Sequence, residues 1–507
     1  MEDLQNYTFQ NYSFVMSEPQ SKGSVLAKPN RVFGRDREWN GLASFASNPA
    51  SGALLGVVSG RRRQGKSFLL EALTSVTGGL YFPALEETAA VSLRAFGAAL
   101  VRQGIPVSRP LQDWEDAFAL LFGALRDQPR TVVIDEFPFL VKASPSLPSI
   151  IQRELGPGGS GQASMARLLL CGSAMSVMGG LLAGQAPLRG RASLELLIRP
   201  FEYIDAARFW GADDPRLALL LHAVVGGTPA YRREFVAFDA PSGLADFDDW
   251  VIRTVLNPQS PLFREARYLM AEETEIRDPA LYHSVLGAIA AGNHTNGGIA
   301  TFVGRKSAEI THPLHVLEDC ALIAREPDLF HPGRSTYRVT EPLITFYEAI
   351  MRPDWFRLES GHAEAVWRDQ RAGFLSRVVG PHFETICRSY ALRAGSALFG
   401  TPPGEIGSGV VNDSARRTQV QIDVAVLAPP EPGRRRRILS LGEAKWGETM
   451  GGHHRERLAR ARDLLSASYD TSDCVLACYS AAGFHDDLRA EDTDHRLALV
   501  ALDDIYA

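Results

Sequence analysis

Gly60-Arg61-Arg62-Arg63-Gln64-Gly65-Lys66-Ser67 places four residues between two glycines and follows them with Lys and a hydroxyl residue. The apolar, β-favouring run Leu54-Leu55-Gly56-Val57-Val58 leads into it, and a helical pattern with Phe68, Leu69, Ala72, Leu73 and Val76 on one side leads out. A loop between a buried strand and a helix aims its backbone N–H groups and the helix N-terminus at an anion. That order separates it from an ordinary glycine-rich turn and reads as a cradle for the triphosphate of ATP. Lys66 would reach the β- and γ-phosphates, and Ser67 would sit on Mg²⁺. Gly60, Arg63, Gln64, Gly65, Lys66, Ser67 and Phe68 are the candidate ATP contacts. Arg61, Arg62 and Arg63 crowd the loop; one is expected at phosphate and the others toward solvent or a neighbouring domain.

Thr131-Val132-Val133-Ile134-Asp135-Glu136 supplies the second half of such a site. Its β-branched residues predict a buried parallel strand, and the acidic pair falls at the C-terminal end, where open α/β sheets hold ligands. Asp135 would serve the Mg²⁺ shell and Glu136 would polarise the attacking water. Leu168-Leu169-Leu170-Cys171-Gly172-Ser173 reads as a further strand. Ser173 at its tip is either a sensor of γ-phosphate or water, or a plain turn serine. Arg189 and Arg191 are candidates for offsetting transition-state charge, against the reading of ordinary surface arginines.

At 507 residues the chain has room for about three domains. A net charge of −6 gives no overall attraction to nucleic acid or anionic membrane, so any DNA contact must come from local basic patches. Five cysteines without a CxxC pair argue against a zinc site or a disulfide framework, and suit a reducing cytoplasm. The first residues show no signal-peptide pattern, and no apolar run is long enough to span a bilayer. The pattern divides into a polar, poorly ordered segment over 1–30, an alternating α/β region over 31–201, a helical region over 202–360 and a mixed region over 361–507. Strands are expected at 54–59, 79–84, 131–135, 168–172 and 195–199. Oligomeric state is left open.

Phe33-Gly34-Arg35-Asp36-Arg37-Glu38, the Gly60–Ser67 loop, Ile134-Asp135-Glu136-Phe137, Cys171-Gly172-Ser173, Leu188-Arg189-Gly190-Arg191 and Gly226-Gly227-Thr228-Pro229-Ala230-Tyr231 follow one another in order. This collinear set resembles the archaeal-type AAA+/STAND-like P-loop ATPases. The resemblance implies an ASCE-type parallel sheet with a strand added between the two nucleotide motifs, then a helical lid. It also implies that the box holding Arg35 packs near the adenine.

Tyr282–Leu322 reads as three short helices, with Leu281, Val285, Leu286 and Ile289 lining the first and Leu314, Leu317 and Leu322 on the third. Arg325–Val339, centred on Pro332-Gly333, is expected to form a two-stranded wing. This resembles the winged helix that follows the ATPase in the same family. The third helix carries Glu309, Glu318 and Asp319 beside His312 and His315, and Pro313 is expected to interrupt its start. A lid coupling nucleotide state to the rest of the chain is favoured over sequence-specific DNA reading.

Beyond about 361 a helix, two strands, an Arg-rich helix and two more strands are expected. Val420, Ile422, Val424 and Val426 alternate in one strand, which turns Asp423 to the opposite face. Glu443 and Lys445 are two apart in the next strand and share a face. An Asp on one strand and Glu-x-Lys on its neighbour can converge on one Mg²⁺, with the lysine orienting or deprotonating a water. Glu384 on the preceding helix would add an outer ligand. The layout resembles the PD-(D/E)xK nuclease superfamily, hence a restriction-endonuclease-like α/β domain. The competing reading is a solvated hairpin with routine surface charges. Arg455, Arg457, Arg460 and Arg462 offer a phosphate-contacting helix face, whereas Arg434–Arg437 fits a solvated loop. The expected activity is ATP hydrolysis coupled to a Mg²⁺-dependent nuclease centre; the alternative is an NTP-dependent switch with an inactive, partner-binding nuclease-like domain.

Overall fold

The computed structural model describes residues 26–271, 278–490 and 496–507, so most of the polar 1–30 segment lies outside the described residues. These residues form two five-stranded sheets and a two-stranded hairpin. The first sheet contains β1 (Leu54–Ser59), β2 (Leu80–Pro83), β3 (Arg130–Asp135), β4 (Ala166–Gly172) and β5 (Ala192–Leu197). Its order is β2-β3-β4-β1-β5, and every pairing is parallel. Helices cover both faces. Leu55, Val57, Val132, Ile134, Leu168 and Leu170 fill one core. Val58, Val133, Leu169 and Cys171 fill the other. Two covered faces explain why β3 and β4 read as unbroken apolar runs. β5 sits at the edge and alternates between half-buried and exposed, so its hydrophobic signal fades and it begins earlier than expected. β4 lies between β1 and β3, the added strand that the resemblance implies.

Buried Arg167, in β4, organises the approach to β1. Its guanidinium donates to the carbonyls of Asn48, Ala50 and Gly52, satisfying a loop that would otherwise bury unpaired acceptors.

From Tyr203 the chain is helical, interrupted by the antiparallel hairpin β6 (Ile323–Pro327) and β7 (Ser335–Val339). The three helices before the hairpin are Pro279–Ala290, Asn296–Val303 and Ser307–Asp319. Pro313 lies inside the third of these rather than at its start, and Leu322 follows that helix. The helix begins at Ser307, so Pro313 falls past its first turn and removes one i→i−4 hydrogen bond, to the Glu309 carbonyl, without ending the helix.

The second sheet has the order β12-β11-β10-β9-β8: β8 (Glu405–Asp413), β9 (Thr418–Leu427), β10 (Ile438–Lys445), β11 (Val475–Ser480) and β12 (Leu497–Ala501). β8, β9 and β10 run antiparallel, and β10, β11 and β12 parallel. Three strands therefore precede the Arg-rich helix Gly452–Leu465, not two. β8 escapes sequence reading because Gly407 and Gly409 dilute its strand pattern. A Cβ at Gly409 would come within 2.5 Å of the Phe330 ring, and one at Gly407 within 3.1 Å of Leu329. The tip of the β6–β7 hairpin packs there. Leu329 N–H donates to Ser408 at 3.1 Å, and Asp328 accepts from Val410 N–H at 3.2 Å. One apolar core runs from Tyr203 through the helical region to Val424, Trp446 and Ile505.

A second correction concerns β9. Gly407 pairs with Ala425 and Gly409 with Ile422, so one extra residue is accommodated around Asp423–Val424. Val420 and Ile422 face the same core as Ala425 and Leu427. Val424 and Val426 face the other. The expected common stripe is broken by this bulge, a device that re-aims side chains in a strand.

Candidate nucleotide and metal sites

The phosphate-loop candidates sit between β1 and the helix Lys66–Thr77. Gly65 adopts φ 85°, open to glycine without strain, and the helix start has no side-chain cap. Its N–H groups are therefore free to meet an anion. Lys66 is buried and donates to the Arg61 carbonyl at 2.8 Å. Burial holds its pKa below the usual lysine value, with Glu136 and Asp135 opposing. One carbonyl leaves an ammonium with unused donor capacity. These residues fit a polyphosphate.

At the C-terminal end of β3, Asp135 Oδ2 accepts from Tyr81 Oη at 2.5 Å and Oδ1 accepts from Glu136 N–H. Burial pushes the Asp135 pKa up, but Ser67, Tyr81 and the Glu136 amide outweigh it, leaving the carboxylate below its normal range. Ser67 and Asp135 are thus adjacent, a neutral hydroxyl beside an ionised carboxylate, oxygen donors suited to Mg²⁺. Glu136 takes a left-handed φ of 51°, uncommon outside glycine and found where a site fixes a side chain. Ser173 Oγ donates to its carboxylate at 3.1 Å and accepts from Arg62 at 3.2 Å. Ser173 thus bridges the two motifs. Arg189 and Arg191 are exposed, and Arg189 donates to the Gly184 carbonyl.

The loop's other side chains turn to the helical region. Arg61 pairs with Glu341 at 3.1 Å, Arg63 with Glu265 at 3.0 Å, and Gln64 donates to Thr228 at 3.1 Å. Arg63 was expected at nucleotide. Its side chain instead joins Glu265 and lies over the Phe235 ring. Arg35 bonds Glu38 and the Gln64 carbonyl and lies over Phe201, so it props the loop. Phe68 packs between the guanidiniums of Arg31 and Arg233. The Arg61–Glu341 pair is buried, so removing one partner strands a charge. Glu341→Ala is expected to cost about 3–5 kcal/mol by urea denaturation, and Arg61→Met with Glu341→Leu to recover most of it.

In the second sheet, Asp423 accepts from Ala444 N–H at 3.1 Å and Gln421 Nε2 at 3.2 Å. Glu443 is buried and Lys445 half-buried; Lys445 Nζ stands 3.0 Å from Glu443 Oε1, as their shared face requires. Arg457 reaches the same oxygen at 3.0 Å, while Glu443 Oε2 is buried without a hydrogen bond. Arg460 pairs with Asp413. The expected phosphate-contacting face is therefore partly consumed by internal pairs. Glu384 lies within electrostatic reach of Asp423 and Lys445. Yet Glu384, Asp423 and Glu443 do not bring three ligand atoms within 4.8 Å of one another, so the expected metal set is adjacent but not gathered. Lys445 and Arg457 both neutralise Glu443.

Burial and the neighbouring Asp423 push the Glu384 pKa up to about 8 from 4.5, and burial also raises Asp423. A carboxyl whose folded pKa exceeds its unfolded value stabilises fully below pH 4.5, and that stability drains as pH rises through 8. Glu384→Gln is expected to flatten this loss, with a higher Tm than wild type at pH 9 and little difference at pH 4. Parallel melting curves for the two proteins across this range would contradict it.

Tyr81, Thr228, Glu265, Glu341 and Arg388 were not singled out from sequence. Only Thr228 carried a signal, inside the Gly-Gly-Thr-Pro box.

No family model matches the chain. A Methanocaldococcus jannaschii protein described as "Uncharacterized protein MJECL04" is 28% identical over 337 residues, 64% of this chain and 72% of that protein. The Walker-type ATPase PABY2304 of Pyrococcus abyssi aligns at a TM-score of 0.47 with 18% identity, over 62% of this chain and 96% of its own. The Aeropyrum pernix ORC2 protein aligns at 0.42 with 14% identity, over 67% and 95%. Among the described residues, no helix is long and apolar enough to cross a membrane, and the five cysteines are free and buried.

Proposed function

We propose that this chain binds and hydrolyses ATP with Mg²⁺ at the Gly60–Ser67 loop, and that its helical region couples this site to a Mg²⁺-dependent nuclease-type centre acting on DNA. The observation that carries the ATPase reading is the meeting of Lys66, Ser67, Asp135 and Glu136 at the C-terminal edge of one parallel sheet, before an uncapped helix. Lys66 and the helix N–H groups would hold the phosphates, and Ser67 and Asp135 the ion. When bound, Mg²⁺ supplies charge neutralisation on the phosphates. Glu136, oriented by Ser173, would take a proton from the attacking water.

Coupling is supported by a run of polar contacts. Arg61 in the loop pairs with Glu341, two residues past β7. Glu326 on β6 pairs with Arg338 at 2.6 Å and lies 3.6 Å from Arg388. Arg388 in turn donates to the Asp423 carbonyl at 3.0 Å. The three helices and the hairpin form a winged-helix-like unit whose wing tip rests on β8, a geometry favouring a coupling lid over DNA reading. Arg388→Ala should leave ATP turnover intact and abolish any effect of ATP on DNA cleavage. Cleavage that still responds to ATP in this variant would remove the coupling.

A second reading, an NTP-dependent switch with an inactive C-terminal domain, is favoured by the two cations already held on Glu443. Mg²⁺ calorimetry on wild type and Asp423→Asn separates the two.

A further inference from the structure

We propose a second, distinct metal site in the C-terminal region: a transition-metal centre built from Glu448, His453 and His454, leaving open coordination positions toward solvent. One ligand atom from each of the three lies within 4.8 Å of the others, the one such cluster among the described residues. His454 Nε2 stands 3.5 Å and His453 Nε2 3.9 Å from Glu448 Oε1. Ligands about 2.0–2.1 Å from one tetrahedral zinc stand roughly 3.3 Å apart, so closure around an ion needs only small side-chain movement. The donor set of two imidazoles and one carboxylate suits Zn²⁺, Co²⁺ or Ni²⁺ and not Mg²⁺, which prefers all-oxygen shells.

The orientation of His454 is the second observation. Its side chain is almost wholly buried, and Nδ1 is engaged by the Gly451 backbone at 3.2–3.3 Å. Gly451 N–H points at Nδ1 at 3.2 Å, and the Gly451 carbonyl lies 3.3 Å from the same nitrogen; the tautomer that donates to that carbonyl presents the Nε2 lone pair to Glu448, and an ion there would select it. His453 and Glu448 are exposed, which gives an ion a path in and waters for its remaining positions. Both histidines lie in the first turn of the helix Gly452–Leu465, whose positive end opposes a cation. The Glu448 carboxylate offsets that, with Glu443 also within electrostatic reach of His454. A bound ion would clamp the turn between β10, which carries Glu443 and Lys445, and the helix that carries Arg457.

Tag-free full-length protein is stripped with EDTA and titrated with Co²⁺, followed by visible absorption and calorimetry in millimolar Mg²⁺. One Co²⁺ per chain is expected, with d–d bands of a four- or five-coordinate ion that Zn²⁺ displaces and Mg²⁺ does not. His453→Ala and Glu448→Gln, both at exposed positions, should each weaken binding by roughly 10–100-fold. Asp423→Asn should leave binding unchanged. Absence of Co²⁺ uptake, or equal uptake in the His453→Ala and Glu448→Gln variants, overturns the site. Loss of uptake in Asp423→Asn alone assigns the ion to the carboxylate cluster and also overturns it.

Discussion

Lys66→Ala is expected to weaken ATP binding roughly ten- to a hundredfold, while Glu136→Gln binds ATP normally and turns it over about 10²–10⁴-fold more slowly. The two effects differ because the side chains do different things. Lys66 is a buried ammonium that, among the described residues, donates to the Arg61 carbonyl and keeps donor capacity that a phosphate oxygen would take up. A charge-assisted contact of that kind is worth about 1.5–3 kcal/mol. Glu136 works through its carboxylate. It is held by Ser173, in a left-handed backbone conformation at the strand end, where a water would be turned and relieved of its proton. The amide keeps the Ser173 contact and loses the basicity. Titration with a fluorescent ATP analogue measures the first effect, and phosphate release measures the second. Wild-type turnover in both variants would remove the assignment.

Asp423→Asn and Lys445→Ala are each expected to lower Mg²⁺-dependent DNA cleavage at least about a hundredfold, with the domain folded and ATP hydrolysis intact. Asparagine preserves an acceptor for the Ala444 amide, so the bulge keeps its hydrogen bond. In Lys445→Ala, Arg457 still neutralises Glu443 at 3.0 Å, so no buried charge is stranded. Either loss would therefore report chemistry rather than unfolding. Lys66→Ala should then alter cleavage only through its dependence on nucleotide. Protein that cleaves neither single- nor double-stranded DNA with Mg²⁺ or Mn²⁺, and binds no ion near Asp423, would make this centre structural and leave the switch reading standing.

The proposed nucleotide site was legible because its parts are local. Strand, loop and helix are consecutive, so the spacing of Gly60, Gly65, Lys66 and Ser67 fixes which backbone groups point forward. β3 and β4, buried on both faces, announce themselves as apolar runs with polar tips. The face shared by Glu443 and Lys445 follows from the two-residue period of a strand, and their side chains meet at 3.0 Å.

What the tertiary structure alone decided is where long-range partners compete for the same side chains. Arg63 faces a loop that could use a cation, yet Glu265, some two hundred residues away, takes it. Arg457 was expected on a phosphate-contacting helix face and pairs instead with buried Glu443. β8 exists because a hairpin from the helical region presses Leu329 and Phe330 onto two glycines that no strand propensity would favour. The bulge at Asp423 shifts every later residue of β9 to the opposite face, and one extra residue in a strand leaves no mark in its alternation until the partner strand is known. Periodicity and loop spacing record the geometry of consecutive residues; charge pairing, register and close backbone approach depend on chain segments that meet only on folding, and so are written in the structure.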